Sequence, residues 1–281
     1  MTPNEKKELS LMACKVRMGI IESTYCAKCG HPGGSLSAAD LFTYLYFKEL
    51  NVDPANPKWE DRDRFVLSKG HTAPGLYAAL AHRGFFPVED LKTLRKLGSY
   101  LQGHPNMNTV PGVDMSTGSL GQGISTACGM ALAAKVKGRK NRVYTLLGDG
   151  EIQEGQVWEA CMFASHYKLD NLCVIVDNNG LQIDGEVAKV MSPYPIVGKL
   201  EAFGFHVTAI DGHDFEQIEA ALNEAKTIKG RPSAIVMKTV KGKDVSFMEN
   251  QAGWHGVAPN QAQYEQAMAE LTAKMNELEG N

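Results

Sequence analysis

Two short apolar runs, each ending in small polar residues, constrain the fold of this chain most strongly. The first occupies residues 143–147 and is followed by Gly148, Asp149 and Gly150; the second occupies residues 172–176 and leads to Asn179. Roughly 30 residues separate Asp149 from Asn179, and the stretch at 151–169 between them has a helical pattern. This order predicts two parallel strands joined by a crossover helix, with their polar ends at one edge of a sheet.

The residues at that edge have the chemistry of a metal–diphosphate site. Mg²⁺ prefers hard oxygen ligands, so the Asp149 carboxylate, the Asn179 amide oxygen and one backbone carbonyl would suffice beside phosphate and water. Glycines on both sides of Asp149 allow the backbone to approach a diphosphate oxygen closely. An alternative also fits, because Gly, Asp and Asn are common in ordinary turns that follow strands.

The composition is that of an ordinary globular protein. The 281 residues are 43% hydrophobic and 22% charged, with a formal net charge of −3, which argues against nucleic acid as the main partner. No apolar run approaches the roughly 20 residues that span a bilayer, and the polar start of the chain lacks the hydrophobic region of a signal peptide. These features predict a cytoplasmic protein with no membrane partner.

Strand-like and helix-like segments alternate through most of the chain. Short β-branched runs predict strands at residues 64–67, 143–147, 172–176, 205–210 and 233–239. Helices are predicted at about residues 5–29, 37–49, 72–82, 88–97, 120–138, 151–169, 195–203, 213–228 and 260–279. The alternation predicts the α/β class, with a mostly parallel central sheet and helices on both faces. No linker or repeat interrupts it, so residues 1–281 are expected to form a single domain.

The six cysteines do not suggest a disulfide framework, because most lie in apolar or helical stretches. Cys26 and Cys29 have the CxxC spacing, and His31 follows closely. A redox or zinc role is therefore an alternative. A structural zinc site would need a fourth ligand from elsewhere, and the chain has no second CxxC.

Four of the eight histidines lie in glycine-rich or proline-rich turns rather than in helices: His31, His71, His104 and His255. Imidazole can donate a hydrogen bond to a diphosphate and can also move protons near neutral pH. Tight turns would aim all four side chains, which favours a shared site. The other four, His82, His166, His206 and His213, lie in or beside predicted elements and are expected to be surface or packing residues.

Several motifs, taken in order, resemble those of transketolase. They are GHPGGSLS at 30–37, LSKGH at 67–71, GHP at 103–105, TGSLGQG at 117–123 and GDGEIQEG at 148–155. The match runs from about residue 10 to residue 258, and it implies the diphosphate-binding domain of a thiamine diphosphate-dependent enzyme. Full-length transketolases continue through a pyrimidine-binding domain and a C-terminal domain. The chain therefore resembles the N-terminal subunit of a split transketolase.

The resemblance also implies roles for particular residues. Asp149, Asn179 and the backbone carbonyl of Leu181 would bind Mg²⁺ or Ca²⁺. The cofactor-binding residues would be His71, Gly118, Ser119, Leu120, Gly150, Glu154, Asn179, Ile183 and His255. His31, His104 and His255 would act on the donor sugar, together with Glu154 as a catalytic residue. Glu154 and Glu159 match glutamates near the cofactor and in a proton-linked network across the subunit interface, and a solvated helix face is the alternative.

The implied activity is transfer of a two-carbon ketol unit from a donor ketose to an acceptor aldose, both as sugar phosphates. The implied partner is a separate C-terminal subunit with the pyrimidine-binding domain, in an α2β2 heterotetramer within which this chain homodimerises. The chain departs from the family at Ser119, often proline, and at Asn106, often glutamate, and residues 250–256 match only in part.

Two other functions stay open on the sequence alone. The chain could belong to another thiamine diphosphate enzyme, of the 2-oxo acid dehydrogenase alpha type or similar to deoxyxylulose phosphate synthase. It could also be a non-catalytic relic of the domain. The Gly-His-Pro motifs before residue 110 favour transketolase over the first alternative, and the presence of Asp149, Asn179 and all four turn histidines disfavours the second.

Overall fold

A parallel sheet of five strands forms the centre of the protein. The computed structural model describes residues 1–280. In chain order the strands are β1 (Arg64–Leu67), β2 (Val143–Gly148), β3 (Leu172–Asn178), β4 (Leu181–Gln182), β5 (Gly185–Glu186), β6 (His206–Asp211) and β7 (Ser233–Lys238). The sheet order is β1-β2-β3-β7-β6 with every neighbouring pair parallel, while β4 and β5 form a separate antiparallel hairpin.

Helices connect the strands and extend beyond them at both ends of the described chain. They are α1 (Pro3–Ala27), α2 (Pro32–Ser37), α3 (Ala39–Tyr44), α4 (Ala73–Arg83), α5 (Gly123–Val136), α6 (Gly155–His166), α7 (Val187–Val190), α8 (Ile196–Ala202), α9 (Phe215–Thr227) and α10 (Gln261–Gly280). A π-helical turn at Leu45–Glu49 extends α3. Short 3-10 turns lie at Gly70–Thr72, Val88–Thr93, Glu151–Gln153 and Ala252–Trp254.

Both faces of the sheet are buried, as a parallel sheet requires. Successive side chains of β2 and β3 alternate between two hydrophobic clusters, so that Tyr144 and Ile175 enter one cluster while Val143 and Val176 enter the other. Helices α1, α3, α4, α9 and α10 contribute side chains to the first cluster, and α5, α6 and α8 contribute to the second. The predicted α/β class with helices on both faces is therefore confirmed.

Some predicted boundaries were wrong for local physical reasons. The helix predicted at 88–97 is a 3-10 turn that ends at Thr93, and Arg95 has a φ of +58°. Leu91 and Leu94 are both buried, and their spacing of three residues suits the 3-10 geometry. A helix begins already at Pro32, where the fixed φ of proline fits a first helical turn. The hairpin at 181–186 was not predicted.

The first turn after β2 also differs from the continuous helix predicted at 151–169. Glu151 is buried, and its carboxylate accepts hydrogen bonds from the backbone N–H groups of Gly121 and Gly148 at 3.0 and 2.9 Å. This side chain fixes a separate 3-10 turn, after which α6 begins at Gly155. Within residues 1–280, no helix has the length and apolar character needed to cross a bilayer.

Two glycine-to-alanine substitutions, one at a close contact and one at an exposed position, test how tightly the helices pack on the strands. A Cβ at Gly123, the first residue of α5, would lie 2.6 Å from Cα of Ser68, just beyond β1. We therefore expect Gly123→Ala to lower the free energy of unfolding by about 1–3 kcal/mol, measured by urea denaturation. Gly198→Ala in the exposed part of α8 is the control, because its Cβ would lie 3.7 Å from Pro195 and alanine favours helix by up to about 1 kcal/mol. Equal effects would contradict this packing.

Candidate functional site

A cavity of about 220 Å³ lies at the carboxyl end of the sheet. Gly148 at the end of β2 pairs with Asp177 of β3, and Asn178 pairs with Lys238 at the end of β7. The strand ends therefore lie side by side, which is where parallel α/β sheets bind ligands. The cavity is lined by Gly34, Lys69, His71, Leu120, Gly148, Asp149, Gly150, Glu151, Gln153, Glu154, Asn179, Leu181, Gln182, Ile183, Lys241 and His255.

Asp149 is held rigidly at the floor of this cavity. Its side chain is buried, one carboxylate oxygen accepts from the Gly150 N–H at 2.9 Å, and the other accepts from the Gly180 N–H at 2.6 Å. Burial and the neighbouring Asp177 carboxylate raise the pKa of Asp149 to about 7, against the lowering effect of the two N–H groups. A cation beside Asp149 would favour the ionised carboxylate.

Asn179 and Leu181 line the same cavity as Asp149, so the structure brings the three predicted metal ligands together. The Asn179 amide nitrogen donates to Asp177 at 3.1 Å, and its amide oxygen accepts from the Leu181 N–H at 3.0 Å. The carbonyl oxygen of Leu181 accepts from the Lys241 ammonium at 3.3 Å. One carboxylate, one amide oxygen and one carbonyl are a donor set that suits a hard divalent cation.

Asp177 organises the floor of the site, and the sequence interpretation missed it. Its side chain is fully buried and accepts hydrogen bonds from Ser37 at 2.5 Å, from Lys69 and from Thr239. Although burial alone would raise it, the Lys69 ammonium and the three hydrogen bonds hold the pKa of Asp177 below its usual value. The signal was present in the sequence, because a charged residue at the end of an apolar buried strand needs a partner.

Two buried lysines, also missed from the sequence, give the cavity a positive side. Lys69 follows β1 and donates to the Gly34 carbonyl at 3.1 Å as well as to Asp177. Lys241 follows β7, is 1% exposed, and has its ammonium 3.0 Å from Nδ1 of His255. Burial and the charge of Lys69 lower the pKa of Lys241 to about 8. Lys69 has a carboxylate partner and Lys241 has only neutral ones, so the site favours an anion.

Three of the four turn histidines form a cluster, and two of them, His71 and His255, line the cavity. The ring centroids of His31, His71 and His255 lie 5.0 to 5.3 Å apart. Burial lowers the pKa of His31 to about 4 with help from Arg95, and it lowers the pKa of His255 to about 3 with help from Lys241. Burial and Lys69 also hold the pKa of His71 well below its usual value. The imidazoles are therefore neutral at neutral pH and able both to donate and to accept.

The fourth turn histidine, His104, stands beside the Gly118 turn. A Cβ at Gly118 would lie 3.0 Å from Cδ2 of His104, and Gly118 has a φ of +151°. The close contact and the positive φ each favour glycine at this position. Burial and Arg95 lower the pKa of His104.

Some of the remaining predicted site residues line the cavity and others lie outside it. Leu120, Glu154 and Ile183 line the cavity but are exposed, with Ile183 65% exposed, and Gly150 lines it through its backbone. Ser119 is exposed and lies outside the lining. Glu159 lies away from the cavity, in a separate groove between α5 and α6.

Cys26 and Cys29 are free thiols. In the part of the chain that the structure describes, no group of three or more His, Cys, Asp or Glu side chains has the arrangement of a metal site. The zinc alternative considered for Cys26, Cys29 and His31 therefore gains no support. The set of Asp149, Asn179 and Leu181 is of a different kind, because it contains a single carboxylate.

Comparisons with known proteins place the chain in a family. Residues 9–277 match the family model for the thiamine diphosphate binding domain of transketolase. The 6-deoxy-6-sulfo-D-fructose transketolase subunit SqwG of Clostridium sp. (strain MSTE9) is 48% identical over 86% of this chain and 88% of its own length. One of the subunits of the apulose-4-phosphate transketolase of Phocaeicola vulgatus is 42% identical over 96% of each chain.

Longer relatives show the same domain as part of a larger protein. Human transketolase is 41% identical over 97% of this chain, which spans 44% of the human protein. The crystal structure of transketolase from Campylobacter jejuni superposes with a TM-score of 0.89 and 34% identity, over 99% of this chain and 46% of that one. This chain belongs to the transketolase family and corresponds to its thiamine diphosphate binding domain.

Proposed function

We propose that this chain is the diphosphate-binding subunit of a two-chain transketolase, which transfers a two-carbon ketol unit from a donor ketose to an acceptor aldose. The observation that carries the proposal is the convergence of Asp149, Asn179 and the Leu181 carbonyl with the buried Lys241 in one cavity. Relatives that match this chain over most of their own length are named as transketolase subunits, which supports a partner chain.

The cavity residues fit a divalent cation and a diphosphate. Asp149, the Asn179 amide oxygen and the Leu181 carbonyl would hold Mg²⁺, or Ca²⁺ in its place. Burial disfavours the ionised form of the Asp149 carboxylate, and a bound cation would stabilise that form. Lys241 and the neutral imidazoles of His71 and His255 would donate to diphosphate oxygens, and Gly150 would let the backbone approach them closely.

The rest of the cofactor would lie along the exposed rim of the cavity. Leu120 and Ile183 are apolar, exposed and part of the cavity lining, so they would pack against the thiazolium ring. Gly118 and Ser119 would flank them in the turn before α5. When bound, thiamine diphosphate supplies the carbon nucleophile and the electron sink needed to cleave the bond beside a ketose carbonyl.

His31, His104 and His255 would then act on the donor sugar. Their depressed pKa values keep them neutral near pH 7, so each can donate a hydrogen bond to a hydroxyl or carbonyl oxygen and accept a proton. Positioned acid–base groups of this kind contribute about 10²–10⁴-fold in rate. Glu154 lies at the rim, where its carboxylate would take part in proton movement at the junction with the next subunit.

A second surface fits the proposed assembly. Phe163 and Met162 of α6 are exposed, and Phe163 lines a groove with Gly129 and Glu159 between α5 and α6. Exposed apolar surface of this kind marks a protein interface. We assign it to the contact between two copies of this chain within an α2β2 heterotetramer, with Glu159 in the interface network. The C-terminal subunit would cover the rim of the cavity and supply the pyrimidine-binding domain.

The substrates belong to the sugar or sugar phosphate class. The two relatives that are subunits act, by their names, on 6-deoxy-6-sulfo-D-fructose and apulose 4-phosphate, so this kind of subunit serves more than one ketose. In this chain the donor could be an ordinary pentose phosphate ketose or a sulfonated or branched one. The groups that select the far end of the sugar would lie on the partner chain.

A substitution at the cation site tests the cofactor assignment. We expect Asp149→Ala to abolish Mg²⁺-dependent binding of thiamine diphosphate, because the cation would then be balanced by the diphosphate alone. Titration calorimetry of the assembled two-chain enzyme at fixed Mg²⁺ measures the affinity. Asp184→Ala is the matched control, since Asp184 is an exposed carboxylate in the turn between β4 and β5. Unchanged affinity in Asp149→Ala would show that the cation site is misassigned.

A reconstitution tests the two-chain assignment. Alone, this chain should transfer no ketol unit from xylulose 5-phosphate or from the other donors, because the group that activates the cofactor would be on the pyrimidine-binding domain. Addition of a pyrimidine-domain chain should restore turnover, measured as aldose released per active site. Ordinary enzyme rates from a rigorously partner-free preparation would overturn the assignment.

A further inference from the structure

A buried network of charged and polar groups lies behind the cavity, and none of its members touches the proposed cofactor site. Arg17 of α1 is 2% exposed and binds Asp40 of α3 through two hydrogen bonds of 2.9 and 2.6 Å. The Arg17 Nε also lies 3.1 Å from Asp244, in the loop after β7. His213, between β6 and α9, has its Nδ1 2.7 Å from the second Asp40 oxygen.

The hydrogen bonds of His213 fix its tautomer. The backbone N–H of Val240 donates to Nε2 of His213 at 2.9 Å, so Nε2 carries no proton. The neutral imidazole must then carry its proton on Nδ1 and donate it to Asp40. The sequence predicts a surface or packing role for His213; its side chain is 14% exposed and is hydrogen-bonded at both nitrogens.

The turn that carries His213 is built to approach the end of β7. Asp211 accepts from the His213 N–H at 2.9 Å, and Asp214 caps α9 by accepting from the Glu216 N–H at 2.9 Å. A Cβ at Gly212 would lie 2.5 Å from Thr239, so only glycine permits this close approach. The short turn therefore delivers the imidazole to the residue that precedes Lys241.

Lys241 depends on this segment for its position. Two hydrogen bonds hold the peptide group that follows Lys241: the Gly242 N–H donates to the Gly33 carbonyl at 3.0 Å, and the Asn250 N–H donates to the Lys241 carbonyl at 2.9 Å. On the N-terminal side of Lys241, the Val240 N–H is held by His213. The Lys241 ammonium then reaches both the Leu181 carbonyl and His255.

We propose that His213 is a positioning residue for the diphosphate site: it holds the Val240 N–H and so places the ammonium of Lys241 over the cavity. Asp40 keeps the acceptor nitrogen of His213 directed at Val240, and Arg17 keeps Asp40 ionised by opposing the effect of its burial. This inference rests on the proposed function, because it takes the anion in the cavity to be a diphosphate.

Three substitutions separate the two hydrogen bonds of His213. In His213→Gln the side-chain oxygen reaches the position of Nε2 and still accepts from Val240. His213→Asn keeps a donor near Asp40 but cannot reach Val240, and His213→Ala keeps neither. In the assembled enzyme with Mg²⁺, we expect the Kd for thiamine diphosphate to rise about tenfold in the Asn and Ala variants, as loss of one hydrogen bond implies. The Gln variant should stay within about threefold of the parent.

A double-mutant cycle tests whether His213 acts through Lys241. Lys241→Met removes the charge and keeps the volume, so adding His213→Ala to it should change the Kd by less than about twofold if the two residues act as one unit. His206→Ala is the matched control, because His206 lies on β6 and pairs with Glu224 away from the cavity. Melting temperatures of all variants are recorded, and the Asn and Gln variants should melt alike.

The outcomes distinguish this inference from the proposed function. If Asp149→Ala abolishes cofactor binding while His213→Ala and His213→Asn bind like the parent, the positioning role is wrong and the proposed function stands. An additive effect of His213→Ala in the Lys241→Met background also overturns the role. If Asp149→Ala itself leaves binding unchanged, the cavity is not the diphosphate site and the proposed function fails first.

Discussion

The site depends on one buried carboxylate, that of Asp177. It lies at the carboxyl end of the third strand with no exposure to solvent, so its charge must be met by protein groups. Three side chains donate hydrogen bonds to this carboxylate: Lys69 from the segment after β1, Ser37 from α2 and Thr239, which follows β7. Removing one partner of a buried ion pair typically costs about 3–5 kcal/mol, so this convergence is strongly enforced.

The same carboxylate shapes the edge of the sheet that carries the proposed metal ligands. Asp177 accepts from the Asn179 amide nitrogen, which directs the amide oxygen away from it, and its backbone carbonyl accepts from the Asp149 N–H at 3.1 Å. Its charge also raises the pKa of Asp149, after burial itself. A cation would stabilise the Asp149 carboxylate, and the Lys241 ammonium lines the same cavity. The cavity therefore suits a cation and an anion together more than either alone.

The sequence predicted the residues that carry local signals. Neighbouring glycines and prolines made His31, His71 and His104 recognisable as turn residues. Asp149 and Asn179 were recognisable because they follow apolar strands. Both signals are local, since the residues that form a turn are adjacent in sequence. Lys69, Asp177, Lys241 and His213 were missed, since their partners lie far away in sequence: Asp177 and Lys69 are 108 residues apart, and His213 and Asp40 are 173 apart. The helix predicted at 88–97 failed for the same reason, as burial of Leu91 and Leu94 overrode local propensity.

The most direct test of the account is crystallographic. Crystals of this chain with its partner, grown with thiamine diphosphate and Mn²⁺ in place of Mg²⁺, would locate the cation by anomalous scattering. We expect one strong peak within about 2.5 Å of the Asp149 carboxylate, the Asn179 amide oxygen and the Leu181 carbonyl, with diphosphate oxygens completing the shell. A cofactor bound with its cation away from these three groups would contradict the account.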